Sequence, residues 1–208
     1  MTTQREILRD AVHERYAAGD PLDADDAGTP VTGIVTAGVV RTYLRDGNER
    51  QQTIRYLGVG ELVGAANLLG RPIPPAECLS EVQLVRLMPD PVREIMREDA
   101  AVAIAVAQIV LDNHAAALEE LALASFCNVR ARVAHQLLLR AHVEGPILDL
   151  TQRDLAMTMG SVREVVGRTM QEFERIGAVR RRADGSMELD LDALEEIQAE
   201  TGRRARSS

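Results

Sequence analysis

Three charged side chains, Arg163, Glu164 and Arg168, are spaced so that a single helix would carry them in its first two turns. An arginine can donate two hydrogen bonds to O6 and N7 of a guanine, and a glutamate can accept one from N4 of a cytosine. The first turns of a helix are also the part that enters a DNA major groove. These residues are therefore candidates for reading bases, provided that the surrounding segment presents them on a helix.

That segment predicts two short helices joined by a tight turn. Thr151 with Asp154, and Ser161 with Glu164, each have the spacing of a capping box, which marks the start of a helix. A helix-turn-helix also needs a small residue where the helices approach, a glycine in the turn and a buried anchor. Three positions supply these: Ala156, Gly160 and Val166.

A basic hairpin is predicted to follow the second helix. Gly177 is placed to end that helix, and Asp184-Gly185 lies between two short runs typical of strands. Such a hairpin would be the wing of a winged helix and would bring Arg180–Arg182 near phosphates. The chain has a formal net charge of −8, whereas residues 151–182 carry seven Arg and four acidic residues, a difference of +3.

Residues 92–144 contain neither glycine nor proline and predict helix, with a break near Phe126-Cys127-Asn128. Heptad spacing predicts a coiled-coil seam, and a second apolar stripe around Val106 would pack on the chain's own β-structure. We therefore expect a homodimer through residues 100–126, the alternative being a helix buried inside a monomer. The predicted seam comprises Ile104, Leu111, His114, Leu118 and Leu121.

The N-terminal half predicts a small antiparallel β-domain. Nine of the fifteen glycines fall within residues 1–70, between the apolar or alternating runs Gly33–Leu44, Gln52–Leu57 and Glu81–Met88. A cupin-like enzyme would need several histidines on such strands to bind a metal, and this region has only His13, which we expect to precede the strands. No catalytic residues and no metal site are predicted.

Other classes of protein are disfavoured by composition. Two cysteines, Cys78 and Cys127, form no CxxC pair, which argues against a zinc or iron–sulfur site. The longest apolar run, Ala100–Val110, is short for a membrane span, and the first ten residues lack a secretory signal. We expect a cytoplasmic protein without a membrane partner. A scaffold that only dimerises stays an alternative, against which Arg163, Glu164 and Arg168 argue.

The segment Leu150–Met170 with Glu174–Val179 resembles the Crp/Fnr family of bacterial transcription factors, and the resemblance extends more weakly over nearly the whole chain. It implies an α+β fold with three parts: a cyclic-nucleotide-binding-like β-roll over 1–99, a dimerisation helix and hinge over 100–127, and a winged helix-turn-helix over 128–208. It also implies base reading by Arg163, Glu164 and Arg168 at a TGTGA-type half-site. The implied phosphate contacts are Thr151, Gln152, Arg153, Ser161 and Arg181.

The effector site departs from the family pattern. Cyclic-AMP binders of the family hold the ribose with a glutamate, which in this register is Ala65, since Glu61 lies too early. Pro72–Pro75 replaces the phosphate-binding pair, leaving Arg71 as the nearby cation, and Ala117-Leu118 replaces the polar pair that contacts adenine. We therefore expect no response to cyclic AMP and no cofactor.

The resulting prediction is a sequence-specific regulator that binds a palindromic TGTGA-like operator as a dimer, is not an enzyme and, if it activates, contacts RNA polymerase. The alternative is a regulator of the same fold that responds to a cyclic nucleotide, haem or redox state. For haem, Cys78, His13 and His114 are the candidate ligands, although their spacing is not diagnostic.

Overall fold

A computed structural model describes residues 12–22, 24, 28–47, 51–159, 161 and 163–204. The described residues divide into two compact units, one from Met1–Tyr43 and Arg55–Ala116, the other from Leu44–Ile54 and Ala117–Ser208. The expected domain boundaries after residues 99 and 127 stay predictions. The division into compact units falls inside one long helix, because each half of that helix packs with a different set of elements.

The first unit is built on two antiparallel sheets, which confirms the predicted β-domain. One sheet has the order β1-β7-β2-β5 and the other the order β4-β3-β6, in which the end of β3 and the start of β4, within Leu44–Ile54, belong to the second unit. The run Gly33–Leu44 is divided at Gly38, whose φ of 84° and approach to the carbonyl of Glu81 leave no room for a Cβ. The strands are β1 Val12–Tyr16, β2 Gly33–Ala37, β3 Val40–Arg45, β4 Gln51–Leu57, β5 Leu62–Val63, β6 Ala76–Cys78 and β7 Val82–Arg86.

Two apolar clusters hold this unit together. The first lies between the strands and includes Val35, Val40 and Leu84, all fully buried. The second lies under three helices, α1 (Ala65–Leu68), α2 (Pro89–Glu98) and α3 (Ala100–Phe126). The core is aliphatic because the chain has only three tyrosines, two phenylalanines and no tryptophan.

Helix α3 has two apolar faces, as the sequence predicts. Val106 is 6% exposed in the second cluster, and Ile109 and Val110 pack partly buried against it. The opposite face is open: Leu111 is 64% and Leu118 is 52% exposed, with Ile104 and Leu121 similarly exposed. The helical stretch has one break beyond the predicted one, at Asp99, whose carboxylate accepts a hydrogen bond from the Ala101 amide at 2.9 Å.

The length of α3 bears on the expectation that the apolar run in this region is short for a membrane span. The apolar run Ala100–Val110 is short for a bilayer, but the helix that contains it has 27 residues and a stretch of mean hydropathy 1.6. By length and composition alone it is long and apolar enough to cross a membrane. Its 27 residues also include Asp112, Glu119 and Glu120, and Glu120 is buried among polar side chains of the second unit.

The second unit places four helices and a three-stranded sheet around one core. Helix α4 (Val129–Glu144) begins at Asn128, whose side chain accepts a hydrogen bond from the Ala131 amide, so the predicted break at 126–128 is confirmed. The other helices are α5 (Gln152–Thr158), α6 (Arg163–Ile176) and α7 (Leu191–Arg204). The sheet has the order β8-β10-β9, from β8 Ile147–Leu148, β9 Val179–Arg181 and β10 Met187–Leu189. Strand β8 and helix α7 were not predicted.

Candidate nucleic-acid interface

Helix α5 begins with the predicted capping box. The Asp154 amide donates to Oγ1 of Thr151 at 3.1 Å, and the Thr151 amide donates to the Asp154 carboxylate at 3.2 Å. The Thr151 hydroxyl also donates to that carboxylate at 2.6 Å. These bonds satisfy amides that a helix start leaves without intrahelical partners, which is why so short a helix begins where the sequence indicates. Gly160 in the predicted turn and Val162 within the second predicted capping box lie outside the described residues.

Helix α6 separates its residues cleanly between two faces. Val166, Met170 and Phe173 are fully buried in the core of the second unit. Arg163, Glu164 and Arg168 are all exposed on the other side. Within the described residues Arg163 makes no ion pair, and the guanidinium of Arg168 donates only to the backbone carbonyl of Glu164, at 3.4 Å. The three predicted base-reading side chains thus share one exposed, hydrogen-bond-competent surface.

The residues proposed for phosphate contacts differ in their exposure and in their partners within the chain. Thr151 and Arg153 are exposed, and Ser161 is half-buried. Gln152 is also half-buried, because its side chain lies against Gly167, where a Cβ would come within 3.2 Å of the amide oxygen. Arg181 donates to Glu174 at 2.9 Å, so a phosphate that binds Arg181 competes with a carboxylate.

The predicted wing is present as the hairpin β9–β10. Its strands pair antiparallel, with Val179 opposite Leu189. At the tip, the hydroxyl and the amide of Ser186 donate to the Asp184 carboxylate at 2.5 and 3.0 Å, and these hydrogen bonds lower the pKa of Asp184. Gly177, with a φ of 82°, follows the end of α6 as expected.

Two residues at this interface were not found by sequence reasoning. Arg132 on α4 donates to the carbonyl of Met159, the residue that ends α5, at 2.9 Å. Gln52 of β4 forms an isolated β-bridge with Met159 and accepts a hydrogen bond from Arg132 at 3.2 Å. No local signal identifies either residue, because the bonds join positions up to 107 residues apart (159 − 52) in the sequence.

The predicted dimer seam lies exposed along α3. All five residues, including His114, are exposed in the single chain. Ile104, Leu111 and Leu118 differ by seven positions and therefore fall on one side of the helix. This side is distinct from the face that carries Val106.

Residues near the expected cyclic-nucleotide position make hydrogen bonds within the chain. Ala65 is buried at the start of α1. Glu61 is engaged by Arg55 at 2.5 Å and by the Gly58 amide at 2.7 Å. Arg93 donates to the carbonyls of Leu68 and Asn67 at 2.9 and 2.7 Å, which are the carbonyls at the end of α1. No carboxylate of this segment is left in the ribose position that the register predicts.

The candidate haem ligands Cys78 and His13 differ in burial. Cys78 is 1% exposed inside the first apolar cluster, and burial raises the pKa of its thiol to about 12. His13 is exposed within β1, so the expectation that it precedes the strands is wrong. In the part of the chain that the structure describes, no group of three His, Cys, Asp or Glu side chains is placed to hold a metal ion.

Comparisons with known proteins agree with this geometry. The family model of the Crp-like helix-turn-helix domain matches residues 131–197. A cyclic AMP receptor protein of Thermus thermophilus is 31% identical over 186 residues, covering 88% of this chain and 86% of that protein. A solved Crp/Fnr regulator from the same organism superposes with a TM-score of 0.71 at 26% identity, covering 90% of this chain and 98% of that one.

A second solved structure, a Crp/Fnr-family regulator from Eubacterium rectale, has a TM-score of 0.77 at 21% identity, covering 96% of this chain and 94% of that one. At that identity the likeness shows the fold. The predicted α+β architecture with a C-terminal helix-turn-helix is therefore confirmed.

Proposed function

Because the chain belongs to the Crp/Fnr family of bacterial transcription regulators, and so is a DNA-binding protein, we propose that it reads a pseudo-palindromic operator with TGTGA-like half-sites as a dimer. The observation that carries the proposal is the exposed face of α6, on which Arg163, Glu164 and Arg168 stand opposite a fully buried apolar face.

The chemistry of base reading follows from the types of these side chains. Arg163 and Arg168 each offer the paired donors that fit O6 and N7 of a guanine, and Glu164 accepts from N4 of a cytosine. Thr151, Gln152, Arg153, Ser161 and Arg181 would contact phosphates, which fixes orientation but carries no base information. In a symmetric dimer the two α6 helices enter major grooves about one helical turn apart.

The proposal is tested by half-site selection from random duplexes with the wild type, Arg163→Ala and Arg153→Ala. We expect Arg163→Ala to cost about 1–3 kcal/mol on the selected site and to relax the preference at one base pair. Arg153→Ala should weaken binding to all sequences and reduce the salt slope by about one. If Arg163→Ala keeps every base preference and loses only overall affinity, α6 does not read bases through this face.

The dimer is proposed through the exposed row of α3. A row of large apolar side chains at heptad spacing is covered by a second copy of the same row in a coiled coil. This occupant suits α3 better than lipid does, because Val106 on the opposite face is already buried in protein and Glu120 is engaged by polar side chains. We place the protein in the cytoplasm, where its DNA is, without a membrane partner.

Independence from cyclic AMP is the remaining part of the proposal. One relative is named a cyclic AMP receptor protein. In this chain Ala65 stands at the ribose position, and Pro72–Pro75 stands at the phosphate position. The chain's relatives are regulators and not enzymes, and no catalytic role is assigned to any residue. Contact with RNA polymerase is expected if the protein activates transcription.

A further inference from the structure

The end of helix α5 is held by a cation. The last carbonyls of any helix lack intrahelical donors. In the seven-residue helix α5, the carbonyls of Leu155 and Ala156 accept hydrogen bonds from the Thr158 hydroxyl and the Ser161 amide, at 2.9 and 3.1 Å. Arg132 supplies a donor there, with one guanidinium nitrogen 2.9 Å from the carbonyl oxygen of Met159. The Met159 side chain is 1% exposed in the core of the second unit. Its position is therefore set from both the side chain and the backbone.

Arg132 is itself held in place by Gln52. The same guanidinium nitrogen donates to Oε1 of Gln52 at 3.2 Å, and Nε2 of Gln52 donates to the Glu120 carboxylate at 3.0 Å. An amide offers one accepting and one donating end, so a cation on one side and a carboxylate on the other select this orientation. The backbone of Gln52 also bridges Met159. Gln52, Arg132 and Met159 thus form a closed three-residue contact within the second unit.

Glu120 anchors this contact in the interior. Its carboxylate, in a residue only 6% exposed, also accepts from Gln136 at 3.0 Å and lies 2.8 Å from Nε2 of His135. The side-chain nitrogen of Gln198 lies 3.0 Å from Nδ1 of His135, so both ring nitrogens of His135 have a polar partner. A polar network whose members are all satisfied is stiff, because any displacement leaves a buried group without its partner.

We propose that Arg132, held by Gln52, is a positioning residue for DNA reading: it fixes the end of α5 and thereby the start of α6. Arg163 begins α6 four positions after Met159, so a shift of the Met159 backbone reaches the base-reading side chains across a very short connection. Specific contacts require placement within about half an ångström. The inference rests on the proposed function, since it concerns how Arg163, Glu164 and Arg168 are aimed.

Positioning and phosphate contact by Arg132 have different signatures. A phosphate contact adds to affinity for every sequence and to the salt slope. Loss of a positioning residue lowers affinity for the operator and leaves the affinity for a random duplex and the salt slope unchanged, because the phosphate-binding side chains remain. A residue that merely stabilises the fold changes neither the ratio nor the slope of the folded protein.

The experiment compares Arg132→Gln and Gln52→Ala with the wild type. Arg71→Gln is the matched control, since it removes the same charge from an exposed arginine of the first unit. The dissociation constant is measured for the selected operator and for a random duplex over a range of salt. We expect the affinity of each test variant for the operator to fall about tenfold, which is the order of magnitude of one charge-assisted hydrogen bond. The affinity for the random duplex and the salt slope should be unchanged.

Two further measurements complete the test. The double variant Arg132→Gln with Gln52→Ala should lose no more than either single variant, because both break the same contact. Hydrogen exchange of the Met159 and Ser161 amides should be faster in both single variants and unchanged in Arg71→Gln. If Arg132→Gln fails to fold, Gln52→Ala, at a half-buried position that carries no charge, decides the question alone.

The results that would overturn the positioning role of Arg132 differ from the result that would overturn the proposed function. A salt slope that falls by about one in Arg132→Gln makes Arg132 a phosphate contact and overturns the proposal. An unchanged ratio of operator to random binding in folded variants overturns it as well. A wild type that selects no half-site removes the proposed function itself, which is a different failure.

Discussion

Arginine occurs in three different environments in this chain, and the environment determines what each guanidinium can bind. All 24 basic residues are arginine, so residue type alone separates none of them. Arg41 is 2% exposed, paired with Glu77 at 2.6 Å and lying over the ring of Tyr43. Arg132 holds a backbone carbonyl. Arg163 is exposed without an ion pair among the described residues, and this is the environment that leaves its donors available to a base.

The two thiols are expected to differ in reactivity, which tests the assignment of Cys78 to the core. Burial raises the pKa of Cys78 to about 12, so at pH 8 its thiolate is about one part in ten thousand. Cys127, just after α3, is only half-buried. A disulfide reagent at pH 8 should therefore modify one thiol per native chain rapidly and the second only on unfolding.

Cys127→Ser is the control for that measurement and should abolish the rapid phase. Rapid modification of Cys78 in the native Cys127→Ser variant would show that Cys78 is accessible, and would reopen its role as a redox or haem ligand.

Helix α3 has one buried apolar face and one exposed apolar face. Its Val106 face is buried against the first unit, and its Leu111 and Leu118 face is open. A large exposed apolar row is costly in water, since burial of such side chains contributes about 1.5–3 kcal/mol each. The open row therefore indicates an interface with a second chain.

Introducing Leu111→Arg together with Leu118→Arg should disrupt the dimer. Each substitution removes an apolar anchor worth about 2 kcal/mol and places a charge in the seam, so we expect the dimer dissociation constant to rise at least about a thousandfold. Sedimentation velocity of wild type and variant at micromolar concentration measures this. A wild type that is monomeric there would contradict the dimer.

The double variant Ala101→Arg with Gln108→Arg is the matched control. These residues are exposed, seven positions apart and off the seam rows, and they add the same two charges. The control should remain dimeric. If both variants are monomeric, the added charge and not the seam explains the dissociation of the dimer.

The chain as a whole keeps the family fold, and residues near the expected position of a cyclic nucleotide make contacts within the chain. Arg93 binds the end of α1, Arg55 binds Glu61, and Ala65 is buried. A bound cyclic nucleotide needs a partner for its ribose and for its phosphate, and an unpaired buried polar group is unfavourable by about 1–3 kcal/mol. We expect neither partner here, because Ala65 and Pro72–Pro75 stand at the positions where the family is expected to supply them.

Calorimetric titration with cyclic AMP should give no saturable site tighter than about 100 μM, which corresponds to about −5.5 kcal/mol. Operator affinity should also be the same with and without cyclic AMP. Titration of the same sample with operator DNA confirms that the protein is active. A saturable isotherm below that threshold, or a shift in operator affinity, would contradict the expectation.

Features that depend on neighbours in the sequence could be predicted, and the structure bears them out. The capping box of Thr151 and Asp154, the turn at Asp184-Gly185 and the two faces of α3 each arise from residues within one or two turns of one another. Their physical causes are local hydrogen bonds, backbone conformation and helical periodicity, which act before the chain is folded. The family resemblance added the β-roll, and the comparisons confirmed it.

Features that depend on contacts between distant segments of the chain could not be predicted from the sequence. The contact of Gln52, Arg132 and Met159, the pairing of β8 with β10 and the ion pair of Arg181 with Glu174 each join segments that meet only in the folded unit. Many polar side chains could have made these bonds, and local patterns do not rank them. Which arginines are exposed and which hold the fold is therefore decided by long-range packing, because burial and the distance to a partner determine what a guanidinium can bind.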